Sequence, residues 1–116
     1  MILDEIKEAL LSVDPVVFYG AVDDSMRETV WDYTVFERSK ITFSQNRTGA
    51  SYYFSVHVIR ENFIPVGLEN DVIEKMLAIT GMRLAGNDPT FEYIQKPGTN
   101  IIVEMLTIEF VLPLKR

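Results

Sequence analysis

Cysteine is absent from this chain, and histidine occurs once, at His57. Without thiols there can be no disulfide and no thiolate metal site, and nothing requires an oxidising compartment. A single imidazole is too little for a zinc or iron centre, so no metal or cofactor is expected. His57 is also the sole imidazole base, and the nearest serine, Ser55, lies two residues away on the same run. Gly49-Ala50-Ser51 lacks the second glycine of a nucleophile elbow. Gly81 and Gly86 lack the Gly-Lys-Ser/Thr ending of a phosphate loop and read as a helix end and a turn. No set of residues specifies a catalytic chemistry, so the expectation is a protein that is not an enzyme.

Long apolar runs are missing too. None approaches the roughly 20 residues of a membrane span. The first residues, Met1-Ile2-Leu3-Asp4-Glu5, lack the basic and apolar regions of a secretory signal, which leads us to expect a soluble, cytoplasmically made protein. For the same reason the acceptor-like Asn46-Arg47-Thr48 carries little meaning. Bases are few: 11 against 17 acids, a net charge of −6, which argues against general binding to a phosphate backbone.

What is present is a globular amount of apolar residue, 47% of 116, enough for one domain over residues 1–116 with its own core. Residues 2–11 place Ile2, Leu3, Ile6 and Leu10 at helical spacing, with Asp4 and Glu5 near the positive end of the helix dipole. Asp14-Pro15 ends that helix. Residues 16–19 (VVFY) read as a short strand. Residues 21–28, including Asp23-Asp24, read as a solvated loop rather than a paired-acid site. Residues 31–40 form a strand that 41–43 extend, and 44–50 form a polar hairpin tip. The second helix spans 69–80, capped by Asn70 or Asp71 and closed by Gly81. Residues 82–85 and 90–95 then read as a strand pair, 96–100 (KPGTN) as a type II turn, and 101–112 as the last strand.

The organising stretch is 51–65, SYYFSVHVIRENFIP. Period-two alternation puts Tyr52, Phe54, Val56 and Val58 on a core face and Tyr53, Ser55, His57 and Ile59 on the other. The last strand is apolar on both faces, interrupted by Glu104 on one and Glu109 on the other. The expected fold class is therefore α+β, an antiparallel four- to five-stranded sheet with two helices packed on one face. Two short helices cannot cover both faces. Either a loop such as 21–30 folds over the second face or a partner covers it, most simply another copy of the chain. The candidate contact residues are Arg47, Tyr53, His57, Ile59, Arg60, Glu61, Val103, Met105 and Glu109. Arg60-Glu61 reads as a solvated pair or as an intersubunit salt bridge.

Taken together, the acidic first helix, Phe18-Tyr19-Gly20, Trp31-Asp32-Tyr33-Thr34-Val35-Phe36, the polar tip and the run from Tyr52 to Ile59 into Arg60-Glu61-Asn62-Phe63-Ile64-Pro65 give a resemblance. The sequence resembles the small tail-terminator and tail-completion (neck) proteins of long-tailed bacteriophages and prophages, over nearly its whole length. The resemblance implies a virion structural protein of the tail or neck, assembled in the bacterial host cytoplasm as a homo-oligomeric ring, usually of six subunits. Such a ring caps the tail tube protein, faces the head connector protein and lets DNA pass without specific binding. It carries over no catalytic residue. Another connector or minor tail component, or a small-ligand-binding α+β domain, remains an alternative.

Overall fold

The computed structural model of the protein describes residues 1–21, 31–44 and 49–115, with side chains to Leu114. The loop containing Asp23-Asp24, most of the hairpin tip with its Asn46-Arg47-Thr48, and hence the contact candidate Arg47, lie outside the described residues. The element order is α1 (Ile2–Leu11), β1 (Val17–Tyr19), β2 (Tyr33–Phe43), β3 (Gly49–Glu61), α2 (Leu68–Leu77), β4 (Arg83–Leu84), β5 (Thr90–Gln95) and β6 (Ile102–Lys115). The class is α+β, as expected, but the sheet has six strands and is mixed.

Its spine is β2-β3-β6, antiparallel throughout, with β3 paired to β6 from Gly49–Lys115 to Glu61–Val103. Two differences from the expected sheet follow from connection length and strand length. β1 runs parallel to β2; the stretch from Tyr19 to Tyr33 supplies the dozen or so residues that a parallel crossover needs. β4 and β5 do not pair with each other. Both dock on the same edge of β6, which is long enough to take β5 beside Ile102–Thr107 and β4 beside Phe110–Val111.

Both helices lie on one face. Ile6 and Leu10 of α1 and Val72 and Met76 of α2 pack with Phe36, Phe54, Val56, Val58, Leu106, Ile108 and Phe110 into one buried cluster. Tyr52, Phe54, Val56 and Val58 thus belong to the core face, as the alternation implied. The start of α2 corrects the expected cap. Neither Asn70 nor Asp71 caps it; the N-cap is Gly67, with φ 96°, and no side-chain oxygen caps the helix. The chain leaves β3 through Asn62 (φ 71°), a residue type that tolerates the left-handed region. It then turns at Pro65, whose carbonyl accepts the Leu68 amide, so the helix starts before the polar candidates. α2 stops at Leu77, and Gly81 closes the following turn instead of the helix itself. Gly81 is required there twice over: its φ is 85°, and an added Cβ would lie 3.1 Å from Leu112 Cδ1.

A bulge interrupts β2. The register shifts between Arg38 and Lys40, so Arg38 faces Phe54 while Lys40 faces Tyr53. The extra residue, Ser39, returns Ile41 and Phe43 to the helix side of the sheet, opposite Tyr52 and Ala50, and puts Lys40 on the other side. Beyond the helices, β2, β3 and β6 continue as a three-stranded arm, and the molecule is 52 Å long but only 26 by 23 Å across.

Candidate interaction surface

The face away from the helices has a small core of its own. Tyr33, Val35, Ile59 and Val103 are buried there, flanked by Val16, Phe18, Trp31 and Met105. Phe18 meets Tyr33 edge-on at 5.7 Å between centroids. Burial in this cluster pushes the Tyr33 phenol above its ordinary pKa of 10.0. The cluster forms the floor of an open hollow of about 330 Å³, walled by Gly20 and Ala21 on one side and Glu92 and Ile94 of β5 on the other.

The polar groups at this surface are joined across strands. His57 reaches Thr107 Oγ1 through Nδ1 at 2.8 Å and Glu37 Oε1 through Nε2 at 3.0 Å, a line of three side chains over β2, β3 and β6. His57 is therefore held as a packing residue on the second face, its ring fixed at both nitrogens. At the end of β3, Arg60 and Glu61 point to opposite faces and do not form the expected pair with each other. Arg60 Nη2 binds Asp14 Oδ2 at 2.9 Å, with the guanidinium also donating to the Tyr33 and Ile59 carbonyls. Asp14 is buried and further accepts from Thr34 Oγ1 at 2.8 Å and the Val16 amide at 3.1 Å. Glu61 pairs instead with Lys96 and accepts the Trp31 amide at 3.1 Å, while Lys96 Nζ sits 5.4 Å over the Trp31 ring. The Lys96 hydrogen bond, then the Trp31 amide, lowers the Glu61 carboxyl below its ordinary 4.5. Both charges are thus paired within one chain and largely buried, which replaces the solvated reading.

Of the other contact candidates, Ile59 and Val103 are buried in the single chain, at 7% and 1% exposure, and make up the floor rather than the rim. Met105 is half-buried beside them. Tyr53 lies further out on the arm, with Lys40 Nζ 4.6 Å above its ring. Glu109 stands opposite Ser55, and its carbonyl accepts the Ala85 amide. Glu104 faces the helix side: Oε1 accepts the Ile64 amide at 2.6 Å, and the carboxylate takes a hydrogen bond from Tyr93 that raises the Tyr93 pKa above 10.0.

Four residues of these networks, Asp14, Glu37, Lys96 and Thr107, escaped the sequence reading. Asp14 was visible only as a helix stop before proline. The others carry no local signal, because their partners lie 20 to 50 positions away in sequence. No protein-family model matches the chain, and no curated protein matches it.

Proposed function

We propose that the chain is a structural subunit that assembles with copies of itself, in the role of a tail terminator of a long-tailed bacteriophage or prophage. The observation that carries the assembly reading is apolar surface left uncovered on a small domain. Phe43, Phe63, Phe91, Tyr93, Ile94 and Leu114 are all exposed, and among the described residues the hollow on the second sheet face is open. Soluble single chains rarely leave large apolar patches in water, and this chain exposes apolar side chains at both ends of its sheet. The tail-terminator role rests on the sequence resemblance. It makes the chain one segment of a ring that stops the tail tube protein, meets the head connector protein and passes DNA through an acidic wall. Light scattering at micromolar concentration tests the assembly. Six copies of a 13.3 kDa chain give about 80 kDa and a closed ring in negative stain, and a 13 kDa species overturns the reading. Particles assembled without the protein should carry tails of uncontrolled length; tails of normal length remove the terminator role.

The hollow favours a second reading, a small-ligand site. Its volume is at the low end of small-molecule pockets, and its wall carries the Glu37–His57 pair above an apolar floor. A monomer whose hollow takes up an apolar fluorophore, with uptake lost in Ile59→Asp, would support this reading over the ring.

A further inference from the structure

Charge is distributed unevenly along the long axis. No acid occurs between Arg38 and Arg60 or after Glu109, and the described strands of the arm carry Arg38, Lys40 and Lys115. Among the described side chains, Arg38 donates to the Tyr19 hydroxyl at 3.0 Å on the helix side of the arm, and Lys40 covers Tyr53 on the other. The same arm exposes Ile41, Phe43 and Leu114 on its helix side, where Phe43, Ala50 and Leu114 stand in one row across the three strands.

The opposite end has the opposite character. Ile102 begins β6 there, about 40 Å from Leu114 at some 3.3 Å per residue. β5 forms the edge beside it and exposes Phe91, Tyr93 and Ile94 around Glu92. Asp32, Glu61 and Glu104 gather at this end, and among the described residues there Arg60 and Lys96 are held by Asp14 and Glu61.

We propose that the basic arm of one copy docks on the acidic β5 end of a second copy. This rests on the self-assembly reading and names its contact. Arm against arm brings like charges together, and so does end against end; only arm against end pairs unlike charge while covering apolar surface on both sides. The exposed Ile41, Phe43 and Leu114 have no counterpart in a phosphate backbone, which sets a protein partner above a nucleic acid. Because the two patches differ, the contact is head-to-tail and propagates from copy to copy, giving a ring where the rotation between neighbours closes.

Two variants on exposed positions test it: Lys40→Glu with Phe43→Asp on the arm, and Phe91→Ser with Glu92→Lys on the end. Each keeps one patch intact. Each alone should run as a 13.3 kDa monomer with an unchanged circular dichroism spectrum, at least tenfold weaker in association than the unmodified chain. Mixed in equal amounts, they should form a two-chain complex of about 27 kDa and nothing larger. The exchange Lys40→Glu with Glu92→Lys in one chain should assemble again, which guards against loss by misfolding. Variants that assemble like the unmodified chain, a mixture that stays monomeric, or an unmodified arm that instead binds a DNA duplex through Lys40 would each overturn the proposal. If the unmodified chain is itself monomeric, the assembly reading falls with it; if it assembles and the variants do too, only the arm contact falls.

Discussion

The two faces of the sheet are built from the same strands and do different work. On the helix side, β6 contributes Leu106, Ile108 and Phe110, each at 1% exposure or less, sealed by α1 and α2. On the other side it contributes Val103, Met105 and Thr107, where only Val103 is fully buried and a polar line through His57 crosses the surface. The first face holds the monomer together. The second is stable enough to be ordered and open enough to be covered. Neighbouring residues of one strand can thus be separated in role by parity alone.

The largest expected effect comes from splitting that parity. Leu106→Ala should cost about 3–5 kcal/mol in urea unfolding, as a cavity in a sealed core does. Met105→Ala, its neighbour facing the hollow, should cost about 1 kcal/mol or less. Equal losses would mean that the second face is as structural as the first. Next is Asp14→Ala, which strands the Arg60 guanidinium, 14% exposed, and the Thr34 hydroxyl in a buried site. A loss of about 3 kcal/mol is expected, and less in Asp14→Leu with Arg60→Leu, where no charge is left behind. Gly81→Ala should cost about 1–2 kcal/mol through its left-handed φ, and Leu112→Val should recover part of it by yielding space at the 3.1 Å contact. The smallest effect is on pH dependence. Glu61 has a lowered carboxyl pKa in the folded chain, so its contribution is complete above 4.5 and is lost as pH falls through the folded value. Glu61→Gln should flatten the acid limb of the stability profile, lowering stability near neutrality and leaving it almost unchanged below the folded pKa of the carboxyl.

How far the sequence reaches is visible in these same residues. Alternation in 51–60 assigned Phe54, Val56 and Val58 to the core because a half-buried strand has one period and that period shows. The apolar character of β6 on both faces was equally plain. The parallel β1 was not, since three residues carry no sign of direction. The partners of β4 and β5 were hidden as well: an alternating strand records which side is buried, never which edge it joins. Asn70 and Asp71 look like caps in any sequence, and only the path out of β3 decides that Gly67 precedes them. The bonds of Asp14, Arg60, Glu61 and Lys96 span distant positions and exist only once the strands are in register.

The bulge at Ser39 has a consequence for how the arm can vary. Arg38–Phe54 and Lys40–Tyr53 are successive pairs with Ser39 left over. Removing Ser39 would keep every pair on either side of it, and keep Ile41 and Phe43 on the helix side, while taking out the local kink and extra twist that a bulge imposes. The arm's aim is therefore set separately from its sidedness. One residue steers where the tip points, and the strand pairing, which stays as it is, decides what the tip presents.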